Sequence, residues 1–504
     1  GLPSDVATSL AKDRDGALWV GTDAGLSQVV PATVQYEQPR HTLYSGDPKA
    51  AGSLRSSGVA SLLADSRGRL WVGTVNGGLS VREPRPGRAV FRTFTRDPAD
   101  PQSLGSDSVL ELLEDSRGRI WVGTYRGLYR MVEPELPGGR ATFVSYFHGD
   151  DPATLSSDQI ESLAEGPGGS IWVGTSQGLN RLDPDSGEVV RFVADRTNPA
   201  SLSDPFVSDL RFGPDGRLWI GTKGGLCTLD VSTNAIARAD AATGLERVGV
   251  SSIVFDDHGI MWAGTINGLV RVDPATGQSV TFGKGDGLPS EVFNRGAAIR
   301  DADGRLYFGG TGGIFEFDPA TVPLSGAPPP VVLTRLLLAS RVVAIGPDSV
   351  LPSQLQSLET LELSHSDNLF AIEFAALDLT RSEAIRYAYR LDGLYDEWIE
   401  TDSENRRATF TNLPDGDYTF RVRAANRLGE WGEAAHALRI VVNPPWWRTW
   451  WAQLGFYSLA VLALLAIPFL RLAAAGRQRK LLEGVVRERT TELRKTNEQL
   501  TEAS

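Results

Sequence analysis

One cysteine, two methionines and five histidines in 504 residues leave little scope for sulfur or imidazole chemistry. Cys227 has no partner for an internal disulfide, so packing must stabilise the chain; this neither requires nor excludes an oxidising compartment. The histidines (His41, His148, His258, His365, His436) lie far apart without metal-ligand spacing, so no metal is expected. Enzyme signatures are also missing. Gly283-Lys284-Gly285-Asp286-Gly287 resembles a phosphate loop, but it precedes Leu288-Pro289 in an inter-repeat turn rather than opening a helix. No Gly-x-Ser-x-Gly elbow into a helix, Cys-x-x-Cys pair or His-Glu-x-x-His helix is found. Asp65, Asp115, Asp256 and Asp257 recur at one phase of a repeat, where turn formation explains them better than acid-base work. Catalytic residues and cofactors are therefore not expected in this chain. Nor is basic charge abundant. The net charge is −12; residues 471–504 carry eight Lys/Arg and five Asp/Glu, or +3, which leaves −15 on residues 1–470. So acidic a body argues against nucleic acid as a partner.

What is present is a repeat. Leu18-Trp19-Val20-Gly21-Thr22 returns around Trp71, Trp121, Trp172, Trp219 and Trp262, and in degenerate form as Tyr307-Phe308-Gly309-Gly310-Thr311. Period-two reading puts Trp19 and Gly21 on one face, so a large ring lies beside a missing side chain. Glycine lets a neighbouring strand come close, while tryptophan fills space between sheets. Val6 to Leu10 reads as the preceding strand, turned back by Asp15-Gly16. Ala89–Phe94 and Val189–Val193 read as fourth strands. Four strands every 43 to 52 residues predict propeller blades, about seven of them. Seven repeats form one ring, or parts of two if the parent protein carries more.

Residue 1 is Gly, and a leucine stands 17 residues ahead of each Trp from Leu2 onward, so Gly1 opens a repeat. The last repeat supplies three strands before the Pro-rich 327–330. The expectation is an internal fragment whose missing strand precedes Gly1. Four repeats carry an insert, around Asp47-Pro48/Ser53-Leu54, Asp97-Pro98/Ser103-Leu104, Asp151-Pro152/Thr154-Leu155 and Asn198-Pro199/Ser201-Leu202. Sharing one phase, the inserts should emerge on one face, either as ligand contacts or simply as longer turns.

These repeats resemble the two-component regulator propeller, a family of extracytoplasmic sensors. Residues 323–443 then alternate as strands, with Phe370–Phe374, Tyr387–Leu391 and Tyr418–Ala424, the turn Asn412–Gly416, and Trp398 and Trp431. The pattern is that of an immunoglobulin-like sandwich. It is similar to the Tyr-rich (Y_Y_Y) module of those receptors; the resemblance points to Tyr389, Tyr395 and Tyr418, for which core packing is the simpler role. The fold class is thus mostly β, with a propeller over 1–322 and a sandwich over 323–443.

Residues 444–451 hold four tryptophans suited to a membrane interface. Thr449–Leu470 has no charge in 22 residues, about 33 Å as a helix, enough to cross a bilayer. Arg471, Arg477, Arg479 and Lys480 follow, which puts 471–504 in the cytoplasm and 1–445 outside. A buried soluble helix is the alternative. Beyond it, Leu482, Val486, Leu493 and Leu500 form a weak heptad stripe that needs a partner, predicting a homodimer. The resemblance implies the bacterial inner membrane, a small-molecule or oligosaccharide ligand, and an output domain beyond Ser504, either histidine kinase or diguanylate cyclase. Rivals are a membrane-tethered propeller enzyme acting on polysaccharide, or a protein-binding scaffold. No ligand-binding residue is identified from sequence.

Overall fold

The computed structural model describes residues 1–30, 39–83, 90–132, 141–239, 243–322, 328–347, 349–367, 369–377, 385–395, 397–426, 429–433 and 436–501. They form two compact units.

In the first unit, six four-stranded antiparallel sheets and one three-stranded sheet follow in chain order. The first comprises Ala7–Lys12, Leu18–Thr22, Gly25–Val30 and Arg40–Tyr44. The seventh comprises Phe293–Arg300, Leu306–Gly310 and Gly313–Phe317. First strands of successive sheets pack on one another, and Ala7–Lys12 packs on Phe293–Arg300, closing one ring of seven. Strand boundaries shift slightly from the sequence reading: the fourth strands expected at Ala89–Phe94 and Val189–Val193 are Phe91–Phe94 and Val189–Phe192, and Ala89 lies outside the described residues.

The motif glycine seats the next blade. A Cβ on Gly174 would lie 2.6 Å from Val207 Cγ1, one on Gly123 2.7 Å from Ile160 Cγ2, and one on Gly309 2.8 Å from the Ala7 carbonyl oxygen. Each partner stands at the start of the following blade's first strand, so the same contact that spaces the blades also closes the ring. Lys12 strengthens the closure by pairing with Asp301 at 2.6 Å, and Asn294 Nδ2 donates to the Ala7 carbonyl at 2.7 Å.

Beside the glycine in five blades, the tryptophan is buried against an aromatic of its own fourth strand, whereas Trp219 meets Phe255 of the next blade. Trp19 with Tyr44, Trp71 with Phe94 and Trp172 with Phe192 have centroids 5.6, 6.3 and 5.7 Å apart. The repeat-phase aspartates explain the turn ahead of it. Asp65 Oδ1 accepts from the Arg67 and Arg69 amides, while Oδ2 accepts the Trp71 indole N–H at 2.8 Å. Asp115 with Trp121 and Asp256 with Trp262 repeat this, whereas Asp257 pairs with Arg300 at 2.5 Å. Two blades have Gly166 and Gly213 in place of the aspartate, and the indole nitrogens of Trp172 and Trp219 have no partner among the described residues. Ring burial of about 200 Å² contributes about 5 kcal/mol, against about 1 kcal/mol net for one hydrogen bond. Burial therefore dominates, and those blades keep their geometry without the aspartate.

The second unit is a sandwich followed by a helix. One sheet orders Arg341–Val342, Val331–Leu338, Leu369–Ala376 and Arg407–Thr411; the other orders Thr360–Ser364, His436–Asn443, Gly416–Ala425, Arg386–Asp392 and Ile399–Thr401. Inward side chains of both, including Phe370, Phe374, Tyr387, Phe410 and Phe420, make one core. The turn at Asn412–Gly416 carries the chain from one sheet to the other, and Tyr418 Oη donates to the Pro414 carbonyl at 3.1 Å to hold it. The Arg423 guanidinium lies over both Trp398 and Trp431, 4.1 and 4.8 Å from the ring centroids. Arg448 pairs with Asp415 of that turn at 2.6 Å. Trp450–Thr501 is then a single continuous helix running through Pro468, long and apolar enough to cross a membrane. What the sequence divided into a span and a coiled-coil start is one uninterrupted element.

Gly174→Val should lower the unfolding midpoint more than Asp115→Ala, by roughly 3 kcal/mol or more against 1–2 kcal/mol, read by thermal or urea unfolding. Burial raises the Asp65 and Asp115 carboxyls, but the indole, backbone and arginine donors outweigh it and hold both below the usual range. They add stability above about pH 4 that is lost as pH falls through the depressed values. Asp115→Asn should therefore flatten the acid limb of the stability curve.

Candidate functional site: the axial channel

Each first strand in the first six blades carries a one-residue bulge where its pairing with the second strand begins. The bulge residues are Thr8, Ala60, Leu110, Glu161, Ser208 and Ser251, and those after them are Ser9, Ser61, Glu111, Ser162, Asp209 and Ser252. Against a background of serine, threonine, alanine and the single Leu110, the acids Glu111, Glu161 and Asp209 stand out. In the seventh blade the register breaks at Phe293 and resumes only at Ala298. Bulges re-aim side chains. This larger one, with Gly296 at φ +65°, turns Arg295 toward the fourth blade.

The consequences differ from residue to residue. Asp209 accepts from the Ile253 and Leu210 amides at 2.6 and 2.8 Å, and Arg211 Nε donates to the Ile253 carbonyl at 3.1 Å. These two hold the fifth blade to the sixth. Glu161 is fully buried, accepts from Gln159 Nε2 at 2.5 Å, and forms an ion pair with Arg295. That pair links the fourth and seventh blades, which do not adjoin. Glu111 accepts no hydrogen bond among the described residues, and its carboxylate lies beside Gly296. Burial pushes its pKa up to about 8, with Arg211 and Arg295 opposing and Asp209 adding, so it holds its proton at neutral pH. Burial lowers Arg295, and Glu111 and Tyr125 counter that.

Above the pair, Lys223 Nζ sits 3.7 Å and Arg295 Cζ 5.9 Å from the centroid of the Phe206 ring. Lys223 and Tyr125 occupy the turns joining second to third strands, and Tyr125 is 49 % exposed. This end of the ring is also where fourth strands pass to the next first strands, so the inserts share it, as expected. Their polar groups are largely spent on themselves. Arg191 Nη2 donates to the carbonyls of Gly149, Asp151 and Leu155, and Arg238 Nη2 to those of Asp195, Asn198 and Leu202. The inserts are braced turns, and the unusual chemistry lies in the channel they surround.

Other residues singled out from sequence are structural. Lys284–Asp286 is a short turn whose Gly283 and Lys284 amides donate to Asp286 and Glu291. Gly174-Thr175-Ser176-Gln177-Gly178 has the Gly-x-Ser-x-Gly spacing, but it joins two strands of one hairpin, so Ser176 stands on no elbow. Cys227 is buried against Ser203, and burial raises its thiol. His148 contacts the Leu155 carbonyl through Nδ1, and His365 packs edge-on against Trp447. No metal-ligand cluster occurs among the described residues. Tyr418 is buried and Tyr389 half-buried in the sandwich core, whereas Tyr395 is half exposed; the fully buried Tyr387, whose Oη accepts from the Ala376 amide at 3.1 Å, is not among the three. The channel residues were missed because a period-two reading treats them as ordinary strand positions. Aligning the repeats at the Trp would have exposed them.

Glu111→Gln should stabilise the protein at pH 8 by at least about 2 °C in midpoint and leave it unchanged near pH 4. The raised folded value penalises folding increasingly as pH climbs from the unfolded value toward 8, and glutamine removes that penalty.

The sequence matches the Y_Y_Y domain over residues 378–443, and the two component regulator propeller over 1–24, 53–76, 103–126 and 201–224. Histidine kinase P4 of Formosa agariphila is 32% identical over 211 residues, 41% of this chain and 15% of that protein. The extracellular domain of a hybrid two component system from B. thetaiotaomicron superposes with a TM-score of 0.71 at 25% identity, covering 88% of this chain and 56% of that one. The chain spans less than two thirds of either relative. It carries, therefore, two component regulator propeller repeats followed by a Y_Y_Y domain, the combination of modules in the sensor family its sequence resembles.

Proposed function

We propose that this chain is the ligand-sensing and membrane-crossing part of a single-span bacterial receptor. The observation that carries this reading is the order of parts: a propeller with an irregular polar channel, a sandwich, and one helix of 52 residues that is uncharged up to Leu470 and basic from Arg471. The acidic propeller and sandwich lie in the periplasm, and the basic segment from Arg471 lies in the cytoplasm. Leu482, Val486 and Leu493 are each more than half exposed on the lone helix, which supports pairing with a second copy. Ligand binding shifts the receptor between two dimer arrangements by favouring one of them. The Arg448 to Asp415 ion pair and the Trp447 to His365 contact tie the sandwich to the start of the helix, so movement of that turn reaches the membrane segment. Of the two outputs the resemblance allows, the histidine kinase name of the Formosa relative favours a kinase beyond Ser504.

The test uses cysteine variants of the full protein in intact cells, since native Cys227 is buried. A membrane-impermeant maleimide should label Val90→Cys in intact cells and Gln478→Cys only after permeabilisation. Labelling of both from the same side would sink the proposal. Leu493→Cys should form a disulfide-linked dimer on mild oxidation, whereas Arg487→Cys should do so far more slowly.

A further inference from the structure

Six of the propeller's sheets have four strands and the seventh has three, so its third strand, Gly313–Phe317, presents an outer edge with no partner strand among the described residues. The other blades show what that edge lacks. In five of them the residue after the third-strand glycine is a fully buried leucine, Leu26, Leu79, Leu128, Leu179 or Leu269. Each pairs with an aromatic of the fourth strand: Tyr44, Phe94, Tyr146, Phe192 or Phe282. The seventh blade's equivalent, Ile314, is only partly buried, and so are Phe315 and Phe317. Among the described residues no fourth-strand ring covers Tyr307 as Phe282 covers Trp262. Unpaired backbone and half-covered apolar side chains on one edge are what an added strand would satisfy.

The route of the chain identifies the occupant. Ahead of a first strand stands a leucine that packs inside the preceding blade: Leu54 lies with Trp19 and Leu26, Leu104 with Trp71 and Leu79, and Leu202 with Trp172 and Leu179. Each is reached directly from that preceding blade's own fourth strand, after ten residues from Tyr44 to Leu54 and six from Phe282 to Leu288. Leu2 plays this part for the seventh blade, since it and Ile314 pack on the cluster that contains Tyr307. Moreover, Gly1-Leu2-Pro3-Ser4 repeats Gly287-Leu288-Pro289-Ser290, the connection that follows the sixth blade's fourth strand. From this we infer that the open edge takes a strand of the same receptor lying N-terminal to Leu2. It runs antiparallel to Gly313–Phe317 and places an aromatic residue six positions ahead of Leu2, as Phe282 stands to Leu288, opposite Ile314 and over Tyr307. A second copy of the chain offers no such strand, because its described fourth strands are each paired within their own blades. The edge is also guarded by the Arg305 to Glu316 ion pair at 2.6 Å and by Pro319 just beyond it, devices that discourage pairing between molecules. The inference stands apart from the sensor reading and does not rest on it.

The test grafts a copy of residues 278–286, the sixth blade's fourth strand with its connection, in front of Gly1 of the full chain in detergent. Hydrogen exchange of the Gly313–Phe317 amides should slow at least about tenfold, and the unfolding midpoint of the propeller should rise by about 3 °C or more. The same graft with alanine in place of its phenylalanine should lose most of both gains, which separates a seated strand from a merely longer N-terminus. Unchanged exchange at Gly313–Phe317 with the intact graft would overturn the proposal. Equal gains from the two grafts would overturn the placement of the aromatic over Tyr307. Slow exchange at Gly313–Phe317 in the ungrafted chain that is lost on dilution would assign the edge to a second copy instead, and so overturn the choice of occupant.

Discussion

Contact between each motif glycine and the first strand of the next blade is the constraint on which the propeller depends. Val59, Val109, Ile160, Val207, Val250, Phe293 and finally Ala7 enter the space that a Cβ would otherwise fill. Because it passes from blade to blade and returns, the contact sets the spacing of every sheet and closes the circle in a chain whose single cysteine can form no internal disulfide. Tryptophan burial supplies most of the energy in six blades and Tyr307 takes its place in the seventh, while the aspartate beneath the indole refines a turn that two blades build without it.

Repetition also determines where irregularity has meaning. Four blades are content with serine beside the channel. Two replace it with acids: Asp209 is absorbed by hydrogen bonds to the neighbouring blade, but Glu111 is not. Glu161 and Arg295 form the only described ion pair linking two non-adjoining blades. Their cost in desolvation is large, and such a cost is ordinarily met only where charge is put to use. Of the four inserts, which draw the eye in the sequence, the third and fourth are clamped by Arg191 and Arg238, and the first two are closed by hydrogen bonds of Ser53 and Ser103.

A chain of physical links leads from the sandwich to the helix. Tyr418 fixes the turn after Asn412, Asp415 of that turn holds Arg448, and Trp450 opens the helix two residues later. Each link is short and local, so the start of the helix is held directly to the sandwich. Trp398, Arg423 and Trp431 stiffen the outer face of the same sheet.

Sequence alone determined the blades, their number, the sandwich and the apolar span. Those features arise from local periodicity: Trp-x-Gly at alternate positions, glycine at turns, aromatics every second residue, and 22 uncharged residues in a row. Only the tertiary structure decided that the seven repeats close as one ring, that Arg295 meets Glu161 across 134 residues of chain, and that the inserts are braced rather than open. The reason is physical. Period and composition are properties of neighbours along the chain, whereas a channel is made by strands that become neighbours only once the ring has closed.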